Sequence, residues 1–150
     1  MLKGIDPLIS PDLLRTLAAM GHGDTLAVCD ANFPAEAVAR STVTGAPIRM
    51  DGIDAGRAVA AILALLPLDR VDGPPAHRMM TAGGPEDVPP VHREIIAAVR
   101  AAEGEAVEVA ALERFAFYDA ARRAFAVVAT GDQRAYGNVL LRKGVILAGS

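Results

Sequence analysis

Met20–Ala35 reads MGHGDTLAVCDANFPA, and the way this stretch divides decides the fold. Thr25–Cys29 is an apolar run of strand length. His22 precedes it between Gly21 and Gly23, and Asp30 follows where the strand should end. Neither neighbour of His22 carries a Cβ, so the backbone there is unusually approachable. An acid just past the carboxyl end of a strand lies where open α/β sheets collect their ligands. The pattern therefore sets up an expectation: a proton donor or acceptor, His22, and a fixed carboxylate, Asp30, converge on one site.

Upstream, Ser10-Pro11-Asp12 is a helix start, with Ser as N-cap, Pro at the first helical position and an acid in the first turn. Leu13, Leu14, Leu17 and Met20 recur at helical spacing, and Gly21 is a natural stop. Downstream, Asn32-Phe33-Pro34 reads as an irregular loop. Thr42–Thr44 and Ile48–Met50 read as short extended pieces around Gly45-Ala46-Pro47. Asp51-Gly52 marks a turn, and Asp54 is expected to cap a helix over 55–66 whose stripe is Val59, Ile62, Leu63 and Leu66. His77–Met80 reads as a short buried strand. Residues 81–90, TAGGPEDVPP, are read as a surface excursion. Pro90 then starts a helix to about Ala102, with Val91, Ile95 and Val99 on its apolar side, His92 on its polar side and Gly104 as the stop. Strands are expected at Val107–Leu112, Phe125–Thr130 and Val139–Leu141, with a helix over Phe115–Ala124. Alternating helices and apolar strands imply an α/β sheet covered on both faces.

At 150 residues the chain fits one domain, 1–150. Hydrophobic residues make up 52% and aromatics only 4%, so Ala, Val, Leu and Ile do most of the packing. The net charge of −3 invites neither nucleic acid nor an anionic membrane. Arg134, Arg142 and Lys143 read as a small, solvated basic cluster. Cys29 is the only cysteine, which excludes an intramolecular disulfide and any multi-cysteine metal site, and its place mid-strand makes it a small buried hydrophobe. No segment reaches the roughly 18 apolar residues of a membrane span. Met1–Pro7 lacks the pattern of a secretory signal, so the expected location is the cytoplasm.

Two further stretches carry polar groups that a plain core does not explain. Arg114 directly follows an expected strand, in Glu113-Arg114-Phe115-Ala116-Phe117-Tyr118. It is either a surface arginine paired with Glu113 or Asp119, worth about 0–1 kcal/mol, or a guanidinium fork presented to a ligand's hydroxyl oxygens. Tyr136-Gly137-Asn138 is either an ordinary turn or a donor–acceptor pair beside a phenol, suited to a polyol with one apolar face. There is no Gly-rich phosphate cradle, HExxH or G-x-S-x-G elbow, and His22-Gly23-Asp24 is not a metal motif by itself. No cofactor and no metal are expected. Acid/base chemistry or simple binding on a small neutral ligand remains.

The segments LKGIDPLISPDLL, MGHGD, DANFPA, RFAFYDAARRAFAVVATG and YGNVLLRKGV together resemble the sugar mutarotase family, which contains L-fucose mutarotase and, more distantly, D-ribose pyranase. The resemblance spans nearly the whole chain, strongest over 1–35 and 113–145. It implies a three-layer α/β/α sandwich with a mixed, mostly parallel sheet. It also implies an isomerase that interconverts the α and β anomers of L-fucose or a related monosaccharide. Carried over by position, it makes His22 the general acid/base. Asp30, Arg114, Tyr136, Gly137 and Asn138 then bind the sugar. Pyranases typically carry a histidine at the position of Arg114 and GHTD where this chain has GHGD, which favours fucose over ribose. The alternatives are D-ribose pyranase activity and a non-catalytic sugar-binding ring protein. Family members form ring-shaped homo-oligomers, commonly decamers, with sites near subunit contacts.

Overall fold

In a computed structural model describing residues 1–150, strand β1 (Thr25–Cys29) lies inside a six-stranded sheet. Leu26, Ala27, Val28 and Cys29 are all fully buried, so both faces of the strand are covered. β1 pairs in parallel with β5 (Ala126–Thr130) and antiparallel with β6 (Val139–Arg142). β2 (Ile48–Met50) runs parallel to β5 at one margin. β3 (Ala76–Met79) lies antiparallel to β6, and β4 (Val109–Leu112) pairs in parallel with β3 at the other margin. The order is β2-β5-β1-β6-β3-β4, mixed with parallel ladders in the majority.

Helices fill the outer layers. α1 (Pro11–Ala19), α3 (Ala55–Leu63) and α4 (Pro90–Glu103) share a core with Leu26, Val28, Val128 and Leu141 on one face. α2 (Ala35–Ala39) and α5 (Arg114–Arg122) cover Ala27, Cys29, Val127 and Leu140 on the other. The result is the expected α/β/α sandwich.

Several local expectations are corrected. Thr42–Thr44 is not a strand: the Thr42 hydroxyl donates to Ala39 O at 2.6 Å and closes α2, a short helix the loop-like sequence did not announce. α3 ends at Leu63 rather than 66, and the chain leaves it in a turn where the Leu65 and Leu66 N–H groups share the Ile62 carbonyl at 3.0 and 2.9 Å. Asp54 sits at the N-cap of α3 but makes no side-chain cap bond; Asp132 Oδ2 takes the Ala55 N–H instead, at 3.0 Å. His92 is fully buried, not on a polar face, since both ring nitrogens find partners inside the protein. Arg134 and Arg142 form no cluster, because β6 runs between them and each pairs with different acids.

These strand directions give the sheet two unlike edges. One gathers the carboxyl ends of β1 to β5 and the start of β6. The other gathers the starts of β1 and β3 and the end of β6.

Candidate functional site

The first edge brings most of the expected residues together. Asp30 follows β1, Arg114 opens α5 just after β4, and Tyr136 and Asn138 lead into β6. All four line one cavity of about 270 Å³, alongside Asn32, Phe33, Met79, Tyr118 and Ala135. Small-molecule pockets commonly run from about 300 Å³ upward, so this one has room for a ligand the size of a monosaccharide.

Asp30 organises the site. Its Oδ2 accepts the Gly137 N–H at 2.9 Å and its Oδ1 the Asn32 N–H at 2.9 Å, while its own N–H donates to Asn138 Oδ1 at 2.8 Å. Burial pushes the Asp30 carboxyl up, and the N–H donors of Asn32 and Gly137 oppose that without cancelling it. Gly137 is itself constrained: a Cβ there would stand 3.1 Å from Val91 Cγ2 and 3.3 Å from Asp30 Cβ. Tyr136 has φ 63°, a left-handed conformation no other non-glycine residue of the chain adopts. Such a residue costs on the order of 1–3 kcal/mol, so the surroundings must hold it.

Arg114 makes neither of its alternative surface pairs. Glu113 accepts the Phe115 and Ala116 N–H groups at 2.9 Å as the N-cap of α5, and Asp119 is engaged by Arg122 at 2.8 Å. The Arg114 guanidinium carbon lies 5.0 Å from the Phe115 ring centre and 5.9 Å from that of Tyr118. It is an exposed fork at the cavity rim, held by aromatic faces rather than an anion.

His22 is elsewhere. The expected convergence of His22 and Asp30 within one chain is corrected by strand direction: they flank β1, whose five residues span ~16 Å. His22 sits on the second edge with its side chain 51% exposed, and its Nε2 lies 3.3 Å from Oδ2 of buried Asp69. Arg142 Nε donates to the same Asp69 oxygen at 3.0 Å. Lys143 holds the loop, its Nζ donating to Leu17 O at 2.7 Å and Met20 O at 2.5 Å, and its carbonyl accepting the Gly23 N–H at 2.9 Å. His22, Asp69 and Asp72 place ligand-type atoms within 4.8 Å of one another, but Arg142 already supplies Asp69 with a cation.

Sequence reading missed Phe33 and Tyr118 as cavity walls, Asp69 as the partner of His22, and the buried role of His92. One signal was available. The chain has only four Phe and two Tyr, and Phe33, Phe117, Phe115 and Tyr118 form a connected set at this edge, with Phe33 and Tyr118 stacked at 5.4 Å.

Residues 3–146 match the RbsD / FucU transport protein family. An L-fucose mutarotase of Actinobacillus pleuropneumoniae serotype 5b is 44% identical over 145 residues, 97% of each chain. A crystal structure described as a putative sugar binding protein superposes with TM-score 0.95 at 47% identity, covering 98% of this chain and 97% of the other. The fucose mutarotase of Streptococcus pneumoniae in complex with L-fucose superposes with TM-score 0.86 at 35% identity, covering 97% of this chain and 100% of the other.

Proposed function

This chain belongs to the RbsD / FucU transport protein family, and we propose that it is a mutarotase. It interconverts the α and β anomers of L-fucose or a closely related reducing sugar without a cofactor, in the cytoplasm. The observation that carries this reading is the single cavity lined by Asp30, Arg114, Tyr136 and Asn138, in a chain similar along its length to L-fucose mutarotases.

The sugar's hydroxyls meet the Arg114 fork, the Asp30 carboxyl and the Asn138 amide, while the stacked Phe33 and Tyr118 rings take its apolar face. His22 exchanges the protons. It takes the proton of the anomeric hydroxyl and returns one to the ring oxygen, so the C1–ring-oxygen bond opens. Rotation about C1–C2 and closure on the opposite face then give the other anomer. Positioned proton transfer of this kind supplies ~10²–10⁴-fold. With Nε2 turned to Asp69, Nδ1 is the atom left for the sugar, and the Asp69 anion steadies the imidazolium that forms.

Because His22 lies at the far edge of its own sheet, the site is completed by His22 of a second copy. A head-to-tail contact that sets the His22 edge of one subunit on the cavity edge of the next closes into a ring when its rotation allows. Unpartnered apolar side chains favour that contact at both edges: Phe115 is 64% exposed beside the cavity, and Val71, Val145, Ile146 and Leu147 are exposed on or beside the His22 edge. A ring of ten copies is the assembly this reading expects.

Saturation-transfer NMR on the anomeric protons of L-fucose tests the activity. Exchange faster than in buffer is expected; a folded sample that leaves the rate unchanged refutes it.

A further inference from the structure

The Thr81–Pro90 excursion and the buried His92 have no part in the reaction as described, yet they meet at the loop that carries Tyr136 and Asn138. We propose that His92 is a positioning residue for the sugar site, holding the Tyr136 carbonyl through an Nε2–H bond whose tautomer is fixed by Arg78, with the excursion keeping Arg78 in place.

Hydrogen-bond chemistry settles the direction of each link. His92 Nδ1 lies 3.1 Å from Arg78 Nη1, and His92 Nε2 lies 2.6 Å from the Tyr136 carbonyl. A guanidinium only donates and a carbonyl only accepts. So Nδ1 accepts, Nε2 keeps the proton, and the neutral ring joins the two. A charged imidazolium would turn an N–H toward the guanidinium; burial and Arg78 both hold the His92 pKa down, against the pull of the Tyr136 carbonyl.

Arg78 is only 4% exposed. Nη1 also donates to Asp87 O at 3.1 Å and Nη2 to Pro85 O at 2.5 Å, while the Thr81 hydroxyl donates to the Asp87 carboxylate. The excursion thus folds two carbonyls onto the guanidinium, and Nη1 serves both the Asp87 carbonyl and His92 Nδ1. Arg78 Nε has no partner at all, so the group is held for where its Nη atoms point rather than for full satisfaction.

At the other end, the Tyr136 carbonyl accepts a second bond, from the Asn138 N–H at 2.7 Å. It is therefore the hinge atom of the loop whose Tyr136 is held at φ 63°. His92 does not line the cavity; its effect reaches the sugar only through that loop.

The kinetic arm of the test rests on the mutarotase reading, whereas the tautomer arm does not. In the ¹⁵N-labelled protein, long-range ¹H–¹⁵N correlation at neutral pH should show His92 protonated at Nε2 alone. An Nδ1–H tautomer or an imidazolium overturns the proposal, whatever the variants do. His92→Gln places an amide N–H at the reach of Nε2, while His92→Asn places its amide at the height of Nδ1, where it meets Arg78 and falls short of Tyr136. In anomer exchange measured against L-fucose concentration, His92→Asn should raise KM about tenfold with kcat within about twofold, a loss of ~1.4 kcal/mol. His92→Gln should stay within about threefold of wild type. Equal behaviour of the two variants, or a fall in kcat at constant KM, contradicts a positioning role. If both variants fail to fold, the wild-type tautomer decides.

Discussion

Asp132 offers a prediction whose size follows from the structure. The residue is 1% exposed at the start of the loop leading to Tyr136. Its Oδ1 accepts the Arg134 N–H and Nε at 3.0 Å, and its Oδ2 accepts the Ala55 N–H at 3.0 Å and Arg134 Nη2 at 2.7 Å. Burial alone would raise this carboxyl, but the Arg134 guanidinium and the two backbone N–H groups outweigh it and bring the pKa from 3.8 to about 2. At 1.36 kcal/mol per pKa unit, the difference is worth about 2 kcal/mol. Since the folded value lies below the unfolded one, the whole contribution is present above about pH 4 and is lost as pH falls toward 2. Asp132→Asn removes the charge at constant shape. Arg134 is not stranded, because Glu94 holds it at 2.7 Å, so the loss should stay near 2–3 kcal/mol rather than the ~3–5 of a broken buried pair. Urea unfolding of both proteins across acidic pH measures this directly, and the carboxylates other than Glu94, which shares Arg134 with Asp132, cancel in the difference. The gap should be full at neutral pH and close as pH approaches 2. A gap that does not vary with pH, or one under about 0.5 kcal/mol throughout, refutes the reasoning.

Three other outcomes are expected. His22→Ala should slow L-fucose anomer exchange by ~10²–10⁴-fold while leaving the urea midpoint near wild type, because the side chain is half exposed. Arg114→Ala should raise KM for the sugar about tenfold or more, the weight of a charged hydrogen bond, with a stability loss of no more than about 1 kcal/mol, since Arg114 makes no ion pair with Glu113 or Asp119 and rests only on the Phe115 and Tyr118 rings. Gly131→Ala would put a Cβ 2.3 Å from Gly52 N and 2.7 Å from Gly52 Cα; backbone on both sides must move, and thermal melting should show a loss of about 1–3 kcal/mol.

Much of the fold was legible because local signals and global packing agree. Ser10-Pro11 announces α1, and the Ser10 hydroxyl does accept the Leu13 N–H at 3.2 Å. Thr25–Cys29, too short for a helix and apolar on both faces, had to be a covered strand, and it is β1 residue for residue. What stayed hidden depends on partners far along the chain. The cap of α3 comes from Asp132, 77 residues away, so the nearer Asp54 looked the better candidate. His92 was placed on a polar face because the sequence does not reveal that Arg78 and the Tyr136 carbonyl wait inside. The gathering of Asp30, Arg114 and the Tyr136–Asn138 loop at one cavity was readable, since each adjoins a strand end and the sheet brings those ends to one edge. The placing of His22 was not, because nearness in sequence suggested nearness in space, whereas a strand separates what it joins.

The sharing of the site between copies is tested most directly by mixing two variants, His22→Ala and Arg114→Ala, and assaying at L-fucose concentrations well below KM, where each alone is slow. The two are unfolded and refolded together so that subunits exchange. If each site takes His22 from one copy and Arg114 from the next, roughly a quarter of the sites in an equal mixture combine both intact residues. L-Fucose anomer exchange should then return to about that fraction of the wild-type rate. A mixture no more active than its two separate components contradicts the account.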